Sequence, residues 1–475
     1  MSFTTLTFAL FLAAVFSVHW AVRSRVARNA VIVVASFLFY SWWDYRFAIL
    51  MLSSVSVDYA VSLAMNRTRN DGKRRGLLLA SIGYNLSVLC FFKYFNFFAE
   101  TVQTVFAALG WEVTPFVLKV VLPVGISFYT FQSMSYTIDV YRKKLEPTRS
   151  WLDYATFVCF FPQLVAGPIE RAGHLLSQFQ RERVFDAELA RDGCRQILWG
   201  VFKKMVLADN LARLVDLSYG TGLADASGVT LAVATLFFAF QIYFDFSAYS
   251  DIAIGTAKLF GVDLMQNFKT PYFSASIPEF WRRWHISLST WFRDYVFVPL
   301  GGSRCGRARW ARNILITFGV SGLWHGASWN FVIWGLLNGV AVLLWTLAAG
   351  GSQQVPQPWV KRFCGVLLTF GFINVTWVFF RAETLPDALM VLGRITTDVW
   401  DAAAWEAFLT KNAVPLWLLV HLVAAVGLEL VQRRQPHPLV LPFARPWRWL
   451  VYTVILYDVL TVGTLNRGSF IYFQF

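Results

Sequence analysis

The segments Phe280-Trp-Arg-Arg-Trp-His285 and Ser321-Gly-Leu-Trp-His-Gly326 decide how this sequence is interpreted. Each places a histidine beside tryptophans within a chain that is otherwise strongly apolar. A charged side chain in the hydrocarbon region of a bilayer costs about 2.5–3.5 kcal/mol, so polar residues there usually face a partner or a cavity. We therefore expect His285 and His325 to mark the functional region.

The composition around these segments predicts a membrane protein. Of 475 residues, 57% are hydrophobic and only 15% are charged, unlike a soluble domain of this length. Runs of about span length lie near 3–19, 30–43, 47–65, 77–98, 117–138, 195–217, 230–250, 313–348 (two spans), 363–380, 413–431 and 449–465. They predict an all-α polytopic fold with about eleven or twelve crossings. Segments near 152–166 and 280–300 are too short or too amphipathic to cross, which is typical of re-entrant or interfacial segments.

Basic loops predict the orientation. Arg and Lys cluster in loops at 23–28, 67–75, 142–149, 304–312 and 433–448, whereas loops 41–46, 99–116 and 218–229 are nearly free of positive charge. Because positive loops favour the cytoplasmic side, both termini are predicted to be exoplasmic. The net charge of +14 is scattered over loops rather than gathered in a stripe, so nucleic-acid binding is not expected. Five cysteines without metal-type spacing predict no metal site.

A polar segment, Gln241 to Asp251, lies at the end of the run 230–250. Asp245 and Asp251, with neighbouring hydroxyls, favour a polar lining over a lipid-facing surface. The two carboxylates could line a site, or they could accept hydrogen bonds that fix helix packing. The structural interpretation is favoured from the residues alone.

A single helix is predicted from about Pro278. Its aromatic face is formed by residues at three- and four-residue spacing, namely Trp281, Trp284, His285, Leu288, Trp291, Phe292 and Tyr295. Arg282 and Arg283 lie on the other side, as in a helix that is interfacial or lines a funnel.

His325 is predicted to lie deep in the membrane. If its span starts near Arg312, a rise of 1.5 Å per residue places it roughly 20 Å from the cytoplasmic end. Gly322, Gly326 and Ala327 narrow the helix, so that a substrate or another backbone can come close. A lone histidine on an apolar helix is more often a packing residue than a catalyst. A neutral imidazole here could also take a proton from an attacking hydroxyl.

Several motifs resemble those of the membrane-bound O-acyltransferases. These are Pro278-Glu-Phe-Trp-Arg-Arg-Trp-His-Ile-Ser-Leu-Ser289, Phe292-Arg-Asp-Tyr295 and Gly322-Leu-Trp-His-Gly326. Further similarities at 122–129, 161–168, 243–247 and 472–475 extend over nearly the whole chain. The resemblance is to the bacterial branch that acetylates alginate and related exopolysaccharides.

The resemblance implies a fold and a chemistry. It implies one domain over 1–475 with a catalytic core at 220–350, in which tilted helices surround a thin centre where a funnel meets a tunnel. His325 would be the catalytic histidine and His285 the second functional histidine; Asp245, Asp251, Trp324 and Arg282 are candidate site-lining residues. Acetyl-coenzyme A would donate the acyl group from the cytoplasm, with no bound cofactor. A polysaccharide would accept it outside the bacterial inner membrane, with the help of an extracytoplasmic acyltransferase partner.

The terminal segment 466–475 is predicted to be an exoplasmic apolar tail. It is too short to cross a bilayer and too apolar to remain in water, so we expect it to pack into a groove. Related systems imply that its tyrosine, Tyr472, carries or guides the acyl group. A hydrophobic plug is the favoured alternative.

Two other functions remain open. A polytopic transporter or flippase could also carry charges and broken helices within the membrane, although the sequence contains no evident inverted repeat. Within the acyltransferase class, D-alanyl transfer to teichoic acid, or acetylation of peptidoglycan or cellulose, would use a similar core.

Overall fold

The computed structural model describes residues 1–111, 114, 117–118, 121–348, 358–411, 414–464 and 470. Within these residues the regular structure is helical, as predicted. The described residues divide by their contacts into two compact units, Met1–Gly193 with Ala253–Met265 and Cys194–Ile252 with Gln266–Phe475. A single domain with its core at 220–350 stays a prediction.

The first unit consists mainly of the N-terminal helices. They are α1 (Leu6–Ala21), α2 (Arg25–Ser41), α3 (Tyr45–Arg67), α4 (Asp71–Leu89), α5 (Phe95–Ala108), α6 (Ile126–Tyr141), α7 (Trp151–Cys159), α8 (Phe161–Leu164) and α9 (Ala172–Phe179). A π-helical segment, Cys90–Tyr94, joins α4 to α5. Helices α7 and α8 have only nine and four residues, which agrees with the prediction that 152–166 is too short to cross.

A buried carboxylate connects three helices of this unit. Asp58 of α3 accepts hydrogen bonds from Ser81 and Asn85 of α4 and from Ser133 of α6. A buried polar group is tolerated in apolar surroundings when its hydrogen bonds are satisfied, so these donors explain a carboxylate inside a span.

The second unit contains the remaining helices. They are α11 (Asp209–Tyr219), α13 (Ile277–Trp281), α14 (Ile286–Phe292), α15 (Arg307–His325), α16 (Trp329–Ala348), α17 (Trp359–Arg381), α18 (Leu385–Asp398), α19 (Ala402–Lys411), α20 (Leu416–Val431) and α21 (Arg445–Thr461). Helices α10 (Ala187–Phe202) and α12 (Gly228–Leu259) contribute residues to both units. Short segments are π-helical at Lys203–Ala208 and Arg293–Phe297 and 3₁₀-helical at Pro271–Phe273.

Every apolar run predicted from the sequence contains helix. Five described helical stretches are long and apolar enough to cross a membrane: Tyr45–Arg67, Asp71–Ala108, Gly228–Leu259, Trp329–Ala348 and Trp359–Arg381. Leu6–Ala21 and Leu416–Val431 are shorter apolar helices. The run 313–348 forms two helices, as predicted. A multi-pass membrane protein follows, whereas the count of eleven or twelve crossings stays a prediction.

Glycines bring α15 and α16 into backbone contact. A Cβ atom on Gly322 would lie 2.1 Å from the carbonyl oxygen of Phe331, and one on Gly335 would lie 2.2 Å from that of Phe318. Only glycine allows such an approach. The close approach expected at Gly322 is therefore made by the chain's own helix α16, which holds the end of α15 in place.

Candidate active site

His325 is the last residue of α15. The helix begins at Arg307, five residues earlier than the predicted start near Arg312, and Gly326 follows it in an extended conformation. The imidazole of His325 is 4% exposed. Its ring centroid lies 4.9 Å from that of Trp324, 5.0 Å from Trp334 and 5.4 Å from Phe380. We call these three rings the aromatic cage.

His285 lies between two helices, and the prediction of one continuous helix from Pro278 is wrong. Helix α13 ends at Trp281 and α14 begins at Ile286. His285 takes a left-handed conformation with φ 44°, which histidine tolerates better than most residues. It is buried, and its ring centroid lies 4.5 Å from Phe246 and 6.0 Å from Trp324. Trp324 therefore contacts both histidines.

Asn267 explains the break, and sequence reasoning missed it. Its carbonyl oxygen accepts the Ile286 N–H at 3.0 Å, and its Oδ1 accepts the Ser287 N–H at 3.2 Å. The N–H of Lys269 donates to the Arg283 carbonyl at 3.0 Å. These bonds satisfy backbone groups that a continuous helix would pair internally. Because Asn267 caps α14, the His285 side chain makes no capping bond of its own.

The chemistry that these surroundings allow is proton transfer by a neutral base. An apolar aromatic cage disfavours a charged imidazolium, and a neutral imidazole can accept a proton. Trp334 adds a polar group: its indole N–H is buried and has no hydrogen-bond partner among the described residues. A buried donor in that state is available to a ligand atom. Within the described residues, no group of His, Cys, Asp and Glu is arranged to hold a metal.

Asp245 and Asp251 lie in ion pairs within α12. This helix runs to Leu259, so the two residues are inside it and not at its end, contrary to the prediction. Lys203 Nζ lies 2.6 Å from Asp251 Oδ2 and 3.5 Å from Glu429 Oε1. Lys204 Nζ lies 2.5 Å from Asp245 Oδ1. Burying an unpaired carboxylate in apolar surroundings costs free energy. The ion pairs offset this cost, so the apolar helix continues past both residues.

The π-helical segment Lys203–Ala208 presents both lysines to acidic partners. The N–H of Asp209 bonds to the carbonyl of Lys204, the five-residue spacing of a π-helix. Lys204 Nζ also lies 2.8 Å from Asp209 Oδ1. Asp245 and Asp251 thus make contacts of the kind expected for residues that fix helix packing. The contacts of the lysines with α12 have no spacing signal in the sequence, because those partners are 41 or more positions away.

The other predicted site residues differ in their surroundings. Arg282 is exposed at the end of α13, whereas the Trp324 ring is buried in contact with both histidines.

Tyr472 lies outside the described residues. Phe470 of the same tail is 4% exposed, and its ring centroid lies 5.4 Å from Phe246 and 5.0 Å from Tyr249. Phe470 thus packs against α12 and touches Phe246, the ring that also contacts His285.

We expect His285→Ala to reduce activity partially without unfolding the protein. The substitution removes a ring that contacts Phe246 and Trp324, and a displacement of about 1 Å in a site can cost up to roughly 100-fold in rate. Acyl-transfer rate and donor KM would be measured on protein that elutes as a single species in detergent. The control is His421→Ala, which removes a histidine whose Nε2 contacts Asp458. Wild-type KM and kcat in a folded His285→Ala protein would refute a supporting role.

Comparison with known proteins gives consistent matches. The model of the membrane-bound O-acyltransferase family matches residues 141–381. The chain is 37% identical over 470 residues to a probable alginate O-acetylase of Pseudomonas putida, covering 94% of each protein. It is 35% identical to a peptidoglycan O-acetyltransferase of Helicobacter pylori, covering 76% of this chain and 72% of the relative. A teichoic acid D-alanyltransferase of Bacillus subtilis is 26% identical over 54% of this chain and 68% of the relative.

Proposed function

Because this chain belongs to the membrane-bound O-acyltransferase family and is an O-acyltransferase, we propose that it O-acetylates an extracytoplasmic polysaccharide. The donor would be acetyl-coenzyme A, presented from the cytoplasm, and a separate extracytoplasmic acyltransferase would deliver the group to the polymer. The observation that carries this proposal is His325, buried in the aromatic cage within the matched segment. The similarity to two named O-acetyl-transferring relatives supports acetyl as the group.

In the proposed reaction His325 acts as general base. Its neutral imidazole takes the proton of the acceptor hydroxyl while the hydroxyl oxygen attacks the thioester carbonyl. The tetrahedral intermediate collapses, the carbon–sulfur bond breaks, and the thiolate takes the proton from the imidazolium. The new ester and a free thiol leave, and the neutral histidine is restored.

The donor experiment tests this function directly. Purified protein in detergent would be given acetyl-coenzyme A labelled in the acetyl group, and release of free coenzyme A would be followed together with transfer of label. Acetyl transfer that needs an intact His325 is the expected result. Use of a D-alanyl thioester with no use of acetyl-coenzyme A would favour the alternative suggested by the teichoic acid relatives.

We also propose that the Trp334 indole N–H stabilises the oxyanion of the tetrahedral intermediate. The N–H is buried without a partner among the described residues, and the ring centroid lies 5.0 Å from that of His325. Losing one oxyanion donor costs on the order of 100-fold in kcat. Trp334→Phe, which keeps an aromatic ring, is expected to show that loss with KM unchanged. The control is Trp281→Phe, which deletes another buried indole N–H. Equal kcat values in Trp334→Phe and the wild type would exclude the role.

Tyr472 is proposed as an acyl relay between the thioester donor and the exoplasmic acceptor: its hydroxyl would attack the thioester and release the thiol, and the acceptor hydroxyl would then attack the tyrosyl ester and restore the phenol. Phe470, two residues earlier in the sequence, packs against Phe246, which contacts His285, and this contact of the tail supports the proposal. A phenol with a pKa near 10 is a poor nucleophile, so a base must activate it.

Tyr472→Phe tests the relay because it deletes the hydroxyl and keeps the ring. We expect transfer to the exoplasmic acceptor to stop, as it would in a protein that lacks 466–475. Phe470→Leu, which weakens the anchor and keeps Tyr472, is the matched comparison and should reduce transfer only in part. Full transfer by Tyr472→Phe would leave the hydrophobic plug as the role of the tail.

A further inference from the structure

A cavity of about 180 Å³ lies in the second unit, apart from the aromatic cage. Its walls come from α12, from the segment Pro271–Phe273, from α17 and from α20. They include Phe240, Tyr272, Val366, Phe370 and Val426. An apolar cavity of about 150 Å³ is large enough to bind benzene, so this one can hold a short run of methylene groups.

The cavity is apolar although a carboxylate lines it. Glu429 Oε2 accepts a hydrogen bond from the Tyr243 hydroxyl at 2.6 Å, and Oε1 lies 3.5 Å from Lys203 Nζ. Both oxygens are therefore directed into contacts with the protein. A ligand in this space meets mainly carbon atoms, which excludes a polar occupant.

The rim of the cavity belongs to the lipid-facing surface. Helices α12 and α17 are both long and apolar enough to span a membrane. Leu367, which lines the cavity, is 54% exposed, and its neighbour Leu368 is 75% exposed. Exposed leucines on a spanning helix contact acyl chains, so the nearest available occupant is a lipid tail.

Arginines lie four residues from wall residues of the cavity, one within α17 and one just after α20. Arg362 precedes the wall residue Val366 by four positions in α17, which places both on one face of the helix. Its Nη2 also lies 3.5 Å from the carbonyl oxygen of Phe273, another wall residue. Arg433 follows Glu429 by four positions, just beyond the end of α20.

These arginines form one positive cluster. Glu279 lies 2.6 Å from Arg283 and 3.2 Å from Arg362, and it is the acidic partner of both. The pKa of Arg283 is lowered by burial, and the nearby charges of Arg362, Arg433 and Arg282 lower it further while Glu279 opposes them. Three arginines thus lie near Arg283, and the one glutamate among them pairs with only two of the four, which leaves an excess of positive charge that attracts an anion.

We propose that this part of the second unit binds an anionic phospholipid of the surrounding bilayer. One acyl chain would occupy the cavity, and the phosphate would contact Arg362 and Arg433. An apolar cavity and a nearby basic cluster match the two parts of such a molecule, and basic pockets between membrane helices bind anionic head groups. This binding does not depend on the acetyl-transfer function.

Lipid binding to the full-length protein tests the proposal without turnover. Delipidated protein in detergent would be titrated with phosphatidylglycerol or phosphatidylcholine of identical chains, and bound lipid would be counted by native mass spectrometry. We expect phosphatidylglycerol to bind more tightly. Replacing Arg362 and Arg433 by glutamine should weaken its binding about fivefold per arginine and leave phosphatidylcholine unchanged.

Two further variants separate the head-group contact from the cavity. Val426→Phe fills the cavity and should weaken both lipids, provided the purified protein keeps the wild-type melting temperature. Arg434→Gln removes a neighbouring exposed charge and should keep wild-type affinity. If Val426→Phe and the bulkier Val426→Trp both bind the two lipids as the wild type does, the cavity is not the site. Equal affinity for the two lipids, or displacement of phosphatidylglycerol by coenzyme A, would overturn the proposal, the latter because the cluster would then hold the phosphates of the donor.

Discussion

His325→Ala is expected to abolish acyl transfer while the protein remains folded. General acid–base catalysis contributes about 100- to 10,000-fold in rate, and alanine removes the base without burying a charge. Helix α15 keeps its position because Gly322 and Gly335, not the imidazole, set its contact with α16. Initial rates of acetyl release from acetyl-coenzyme A would be compared at equal amounts of monodisperse protein.

A second substitution separates loss of the base from loss of packing. His325→Gln restores most of the side-chain volume within the aromatic cage but cannot act as a base near neutral pH. We expect it to be as inactive as His325→Ala and closer to the wild type in melting temperature. Normal acyl transfer by a folded His325→Ala protein would remove the residue from the mechanism.

Lys203→Met is expected to cause the largest loss of stability among single substitutions in the second unit. The ammonium is 2% exposed and lies near Asp251 and Glu429, whose side chains are 15% and 10% exposed. Removing one partner of a buried ion pair costs about 3–5 kcal/mol, because a carboxylate is left without compensation. Unfolding in mixed micelles of increasing dodecyl sulfate content would measure the change.

Two controls make this prediction specific. Lys269→Met removes an exposed lysine of the same unit and should change stability little. The double variant Lys203→Met with Asp251→Asn should recover part of the loss, because it no longer leaves the Asp251 charge unpaired. Equal stability of Lys203→Met and Lys269→Met would show that the ion pairs do not stabilise the fold.

The two histidines of the candidate site depend on other residues that hold their helices in place. His325 and His285 carry sequence motifs, and the family comparison covers both. Asn267 and Lys203 belong to no such motif. Asn267 caps the helix that follows His285, and Lys203 neutralises the charge of Asp251 in α12. Substitutions at these supporting residues are therefore expected to affect activity through geometry and stability.

Local sequence features were sufficient to predict the membrane class, the approximate positions of most helices and the two histidine motifs. Bilayer thickness and the need to satisfy backbone groups within each segment act on local stretches, so length and hydropathy suffice to find helices such as α12 and α17. Motifs such as Gly322-Leu-Trp-His-Gly326 are local as well, and they are sufficient to recognise the family.

Three features became visible only in the folded chain: the break before α14, the ion pairs of Lys203 and Lys204, and the backbone contact of Gly322 with α16. The periodicity from Trp281 to Tyr295 fits one helix, but this stretch donates hydrogen bonds to Asn267 and accepts one from Lys269 in place of helical bonds. Asp251 and Glu429 are 48 and 226 positions from Lys203 along the chain, yet both lie against its ammonium group. Such contacts depend on which segments meet in space, and no pattern within one segment encodes that choice.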